Sequence, residues 1–247
     1  MRCSSALSCR ARVIRKPACA CSLESSGRAV LAKVKFCGMT RPQDTALAAE
    51  IGASYIGVVF ADGPRRVSPS QARGILDGAG ETRGVKRVGV FGTNDAAEIA
   101  RISEEARLDV VQLHADPTTT DVRSIRRAFG GEVWAAIRIA GTHIPPDAEL
   151  LFDTADAIVL DARSEKRLGG TGKALPWSEI AVDLARDRGS SAVVLAGGLK
   201  PDNVGSAIRT LAPDVVDVSS GIESSPGIKD PWLMREFFAA ATGFRPH

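Results

Sequence analysis

The sequence predicts a compact single-domain α/β protein, a (β/α)8 barrel, on three observations. Strand-like and helix-like runs alternate without a break from Lys33 to Ala241, the pattern of a parallel sheet with helical crossovers. The second strand-like run, Tyr55-Ile56-Gly57-Val58-Val59-Phe60, is continuously apolar, which is how central strands of a parallel sheet read. Eight such units fit within about 215 residues, the length of a small closed barrel. A doubly wound sheet usually ends at five or six strands and ranks second.

The elements follow in order. The first strand runs from Lys33 to Cys37, and a helix follows over 42–51, with Thr40 expected as its N-cap and Pro42 and Asp44 in its first turn. The second strand is 55–60, and Ser68-Pro69 opens a helix to about Leu76 as an N-cap with proline at the first helical position. Strand three is 86–91, with a helix after Thr93-Asn94-Asp95 that continues to Arg107. Strand four (109–113) precedes a helix over 118–129, and strand five (132–139) precedes a weakly patterned helix near 147–152. Strand six (157–160) leads into a glycine-rich loop, 161–175, and then a helix over 177–188. Strands seven (192–195) and eight (215–218) are followed by helices over 201–211 and 231–241.

Of the 247 residues, 44% are hydrophobic and 25% charged, ordinary proportions for a globular chain. The net charge of +3 is uneven: residues 1–30 carry six basic residues against one acid, a local +5, which leaves −2 for the rest. The barrel region therefore has no excess of base for nucleic acid. No apolar run approaches the roughly 18 residues of a membrane span. Four of the five cysteines also lie in 1–30, leaving Cys37 alone in the body. That usage fits a reducing compartment rather than a disulfide framework, and Cys19-Ala20-Cys21 has no second ligand pair for zinc. We expect no metal. The Arg-, Ser- and Ala-rich stretch 1–30 reads as a non-globular basic extension, resembling either a transit peptide or sequence upstream of a mistaken start. The catalytic domain is then 31–247, working in the cytoplasm, or in the plastid stroma if 1–30 is a transit peptide.

Barrels keep their chemistry on the loops after the strands' C-terminal ends. Those slots hold Cys37, Arg65-Arg66, His114, Arg138, Asp161, Gly197-Gly198 and Ser219-Ser220-Gly221. Gly197-Gly198 and Ser219-Ser220-Gly221 end strands seven and eight with residues that leave backbone N–H groups accessible. Phosphates bind between these two loops in many barrels, at the N-terminus of a short extra helix, here expected over 219–223. Tight turns alone are the alternative reading. Cys37 and Asp161 suit proton transfer: a thiol, ordinarily near pH 8.5, needs a lowered pKa or a cationic neighbour to act as a base, and a carboxylate, ordinarily near 3.9, needs a raised one to act as an acid. A buried structural thiol is the alternative for Cys37. Arg66 offers a fork for a carboxylate. Strand parity puts Lys35 on the same face as Cys37, and barrel closure sets strand eight beside strand one. A Lys35–Asp217 charge pair beneath the thiol is therefore expected. Trp134, Trp177 and Trp232 read as packing residues.

Lys35-Phe36-Cys37-Gly38-Met39-Thr40 resembles the opening signature of the phosphoribosylanthranilate isomerase family. Further matches follow in order: 57–60, Arg66-Val67-Ser68-Pro69, 88–91, 111–114, Leu160-Asp161-Ala162, Gly169-Gly170-Thr171-Gly172-Lys173, 196–204, 217–223 and 226–230. Phe36 and Ala115 depart mildly from the family pattern. The resemblance implies a cofactor-free Amadori rearrangement of a small phosphorylated substrate in tryptophan biosynthesis. It implies Asp161 as the general acid, Cys37 as the general base, and Arg66 on the anthranilate carboxylate. It places the phosphate on Gly197, Gly198, Ser219, Ser220 and Gly221, with His114 lining the site or orienting a neighbour. The runner-up readings are a related phosphate-binding barrel, such as indole-glycerol-phosphate synthase or the isomerase shared with histidine biosynthesis, and a non-catalytic binder of phosphate ligands. Monomer and homodimer both remain open.

Overall fold

A computed structural model describes residues 32–80, 84–162, 176–186 and 189–243. The extension 1–30, most of the glycine-rich loop (163–175) and residues 187–188 of the helix expected over 177–188 lie outside the described residues.

Eight parallel strands close into a barrel: β1 (Lys33–Phe36), β2 (Tyr55–Val59), β3 (Lys86–Phe91), β4 (Val110–Leu113), β5 (Glu132–Ile139), β6 (Ala157–Ala162), β7 (Ala192–Leu195) and β8 (Val215–Val218). Closure is made by β8 on β1, with Lys35 opposite Asp217 and Phe36 opposite Val218. Side chains alternate across each strand, so every second residue enters the barrel. The floor is apolar, built from Tyr55, Val88, Val110, Trp134, Val159, Val194 and Val215. Trp134 and Tyr55 meet edge to face there, their ring centroids 4.9 Å apart. The alternate residues, among them Val34, Phe36, Ile56, Val111, Ile158 and Val216, face outward and pack under the helices in a second, larger core.

The crossover helices are α1 (Pro42–Ile51), α2 (Pro69–Asp77), α3 (Ala96–Ala106), α4 (Thr119–Ala128), α5 (Trp177–Arg186), α6 (Val204–Leu211) and α7 (Pro231–Thr242). Their starts follow capping chemistry. Ser68 and Thr118 form capping boxes with Gln71 and Asp121, and Asp95 and Asp230 each accept two backbone N–H groups. Among the described residues no helix is long and apolar enough to cross a membrane.

Several details differ from expectation. The N-cap of α1 is Arg41, not Thr40; the Thr40 hydroxyl instead donates to the carbonyl of Gly227. In place of a fifth α-helix stands a single 3-10 stretch, Pro146–Leu151, opened by consecutive prolines. α6 starts at Val204 because Pro201 to Asn203 form a turn. β6 reaches two residues further than expected, so Asp161 lies within a strand. After β8 a 3-10 turn (Ser220–Ile222) leads into an unexpected hairpin, β9 (Glu223–Ser225) and β10 (Ile228–Lys229), which folds over the start of α1. Trp134 packs as expected, whereas Trp232 on α7 is 66% exposed.

Candidate active site

The C-terminal mouth of the barrel is one cavity, and most of the expected residues border it. Cys37 comes from the end of β1, His114 from the end of β4, Asp161 from β6, Gly197 and Gly198 from the loop after β7, and Ser219 and Ser220 from the loop after β8. Cys37 extends the β1–β8 ladder by one bond, its N–H donating to Val218 O at 2.9 Å. That bond fixes which way the thiol faces. Gly57 on β2 makes the room: a Cβ there would lie 3.0 Å from Cys37 Sγ and 3.3 Å from Lys35 Cε.

Beneath the thiol the expected pair is present. Lys35 is fully buried, and its Nζ donates to Asp217 Oδ2 at 2.7 Å and to Gln112 Oε1 at 2.8 Å. Burial works against the ammonium, but the Asp217 and Cys37 charges outweigh it and hold the Lys35 pKa above its ordinary value. Burial also pushes the Cys37 thiol up; Lys35 and Lys229 oppose this, and Asp217 adds to it. Lys35 thus favours the thiolate, as its position implies, yet burial wins the balance. Burial likewise raises the Asp217 carboxyl against the pull of Lys35.

Across the mouth, His114 Nε2 lies 3.4 Å from Asp161 Oδ2, and both side chains are about nine-tenths buried. His114 Nδ1 is buried without a hydrogen-bond partner among the described residues. Gly197 and Gly198 both hold positive φ, +85° and +67°, a conformation that few side chains tolerate.

Three of the residues in the expected slots do not border the cavity. Arg66 does not border the mouth: it is 63% exposed and pairs with the exposed Asp62 at 2.7 Å. Its neighbour Arg65 borders the mouth instead, 17% exposed and bonded to Glu223 through two hydrogen bonds. Gly221 does not border it either; it packs against the backbone of Leu199, where a Cβ would collide with the carbonyl. Its close approach to Leu199 ties the two loops together. Arg138 turns to Asp116 at the rim. Of the polar residues at the mouth, Arg65 was named only beside Arg66, and Gln112 was given no role. Gln112 carried a signal, a lone polar residue in the run Val110-Val111-Gln112-Leu113 at the same parity as His114.

A closed parallel barrel whose polar groups gather at the C-terminal mouth defines the class, the (β/α)8-barrel enzymes. Within that class, the sequence model described as N-(5'phosphoribosyl)anthranilate (PRA) isomerase matches residues 34–240. The chain belongs to that family. The N-(5'-phosphoribosyl)anthranilate isomerase of Trichlorobacter lovleyi is 43% identical over 212 residues, which cover 85% of this chain and 97% of that protein. The crystal structure of phosphoribosyl anthranilate isomerase from Thermotoga maritima is similar at a TM-score of 0.75 and 33% identity, covering 86% of this chain and all of that one. A phosphoribosyl anthranilate isomerase in complex with reduced 1-(o-carboxyphenylamino)-1-deoxyribulose 5-phosphate is similar at a TM-score of 0.71 and 32% identity, with the same coverage.

Proposed function

We propose that the chain isomerises N-(5'-phosphoribosyl)anthranilate to 1-(2-carboxyphenylamino)-1-deoxyribulose 5-phosphate, by an Amadori rearrangement, in tryptophan biosynthesis. One observation carries the reading: a single cavity is bordered by every group that this reaction asks for. Cys37 and Asp161 are its proton-transfer groups, Arg65 is its carboxylate fork, and the loops at Gly197-Gly198 and Ser219-Ser220 receive the phosphate.

The steps follow from those assignments. Asp161 gives its proton to the ribose ring oxygen; the bond from that oxygen to C1' breaks, and the nitrogen lone pair forms the C1'=N iminium. Cys37, as thiolate, takes the proton from C2', and the C–H electron pair neutralises the iminium to an enolamine. Tautomerisation gives the ketone. The iminium makes the C2' proton acidic enough for a buried thiolate that is present only as a minor form. Lys35 offsets part of the cost of that anion. His114 orients Asp161 through Nε2. Each acid or base contributes roughly 10²–10⁴-fold, and fixing the substrate at its two anionic ends supplies much of the rest.

The catalytic unit in this reading is the barrel of residues 31–247, acting alone or as a homodimer. Its buried free thiol suits a reducing compartment, and we assign it to the cytoplasm. The test follows the loss of anthranilate-type fluorescence as the purified chain consumes phosphoribosylanthranilate. Turnover is expected, with Cys37→Ala and Asp161→Ala each slower by at least about 10²-fold. Absence of turnover by the unaltered chain overturns the reading.

A further inference from the structure

We infer that Glu223 and Lys229, neither of which borders the cavity, are positioning residues: they aim Arg65 at the substrate carboxylate and tie it to the loop that receives the phosphate. The inference rests on the function proposed above. Arg65 donates from Nε to Glu223 Oε1 at 2.7 Å and from Nη2 to Oε2 at 2.6 Å. A guanidinium has five N–H donors. Glu223 takes two from one edge, which leaves the Nη1–Nη2 edge as a second fork of the shape a carboxylate accepts.

Glu223 is itself held from below. Lys229 Nζ, fully buried, donates to Glu223 Oε1 at 2.9 Å and to the carbonyl of Ser219 at 3.1 Å. Its two acceptors thus lead to opposite ends of the substrate, the arginine fork and the β8 loop. Glu223 and Lys229 are partners across the β9–β10 ladder. The hairpin is pinned to the start of α1, where Lys229 N–H meets Asp44 and its carbonyl meets Arg41. Two cations about one carboxylate leave one positive charge at the rim, the sign that an incoming carboxylate needs. The flanking cations also hold the Glu223 pKa below its ordinary value, against burial. Gly38 completes the clamp: a Cβ there would lie 2.5 Å from Arg65 Cδ and 2.8 Å from Ser219 Oγ. A buried ion cluster adds little to stability over apolar packing; what it does supply is a fixed direction for the fork.

The test compares two phosphorylated inhibitors, reduced analogues of the product with and without the ortho carboxylate, on the full-length chain. Glu223→Gln is expected to weaken the carboxylated inhibitor by about tenfold, the worth of one charge-assisted hydrogen bond. The uncarboxylated one stays within about twofold, and KM rises while kcat holds. Arg65→Met sets the scale for complete loss of discrimination. A double variant, Glu223→Met with Lys229→Met, removes both buried charges together and is expected to show the same selective loss if the single variant folds poorly. Equal weakening of both inhibitors assigns Glu223 a merely structural role and overturns the inference. So does a Glu223→Gln chain that discriminates as well as the unaltered one while Arg65→Met does not. An unaltered chain that neither turns over nor binds either inhibitor overturns the function itself.

Discussion

Lys35 Nζ and Asp217 Oδ2, on strands whose numbering differs by seven, lie 2.7 Å apart inside the closed barrel. Closure makes them neighbours, and the two-residue period of β1 puts their pair one step below Cys37. Because Asp217 and Gln112 both accept from it, the ammonium is a fixed positive charge rather than a mobile one. That fixed charge is what the thiol has to set against its burial.

Removing half of the pair is predicted to be costly. Lys35→Met leaves the buried Asp217 carboxylate without its cation and should destabilise the fold by about 3–5 kcal/mol in urea unfolding at pH 7. Lys35→Met with Asp217→Leu should recover most of that loss, since an apolar pair of similar size replaces the ions. The double variant should still turn over poorly, because Cys37 has lost the stronger of the two cations that oppose its burial.

The raised thiol also sets two alkaline pH effects. With its folded pKa above the ordinary 9.0, Cys37 keeps its proton to higher pH in the folded chain than in the unfolded one. The unfolded state then binds fewer protons, so stability is intact below about pH 9 and falls as pH rises from there toward the folded value. Lys35, also raised, adds the same sign of slope above its ordinary 10.5. Thermal unfolding between pH 8 and 10.5 should show this decline, and Cys37→Ser should flatten its first part. In turnover, kcat/KM should climb on the alkaline side with a midpoint above the usual thiol value, since it reports the free enzyme's base. A midpoint near neutrality would remove Cys37 from that role.

What the sequence revealed follows from which rules have a period. Strand parity and closure are strict, so the Lys35–Asp217 pair was legible from spacing alone, and so was the inward face that carries Cys37. Loops have no period. Nothing in Gly63-Pro64-Arg65-Arg66 says which of two adjacent arginines turns inward, and the packing of Arg65 against Gly38 and Glu223 decides it. The β9–β10 hairpin was hidden for another reason: strands of three and two residues carry too few side chains to show alternation. Glu223 and Lys229 thus sat within recognisable motifs without an evident task until their partners were placed. The fifth crossover had the weakest helical pattern, and it forms only the 3-10 stretch Pro146–Leu151.

Gly57→Ala tests the space beneath the base. The added methyl would press on Cys37 Sγ at 3.0 Å and on the Lys35 stem at 3.3 Å. Overpacking of this kind costs about 1–3 kcal/mol, but displacement of the thiol by a fraction of an ångström should matter more. We expect kcat to drop by roughly 10–10²-fold, with KM nearly unchanged, because the anchors for carboxylate and phosphate lie elsewhere. A KM effect equal to the kcat effect would place the thiol among the binding groups instead.

The adjacent arginines give the sharpest contrast. Arg66 is mostly exposed, and its bond to the exposed Asp62 belongs to a class worth at most about 1 kcal/mol. Arg66→Ala should therefore leave KM within about twofold and stability within about 0.5 kcal/mol. Arg65 borders the cavity, is mostly buried and is held in a fixed direction by Glu223. Arg65→Lys keeps the charge but loses the planar fork, and a charge-assisted bond lost from a carboxylate is worth about 1.5–3 kcal/mol. KM for phosphoribosylanthranilate should rise by roughly 10–10²-fold, while kcat changes little. Steady-state kinetics on the two single variants decide between them: a large KM effect at Arg66 and none at Arg65 would return the carboxylate to the outer arginine and leave Glu223 without a task at the site.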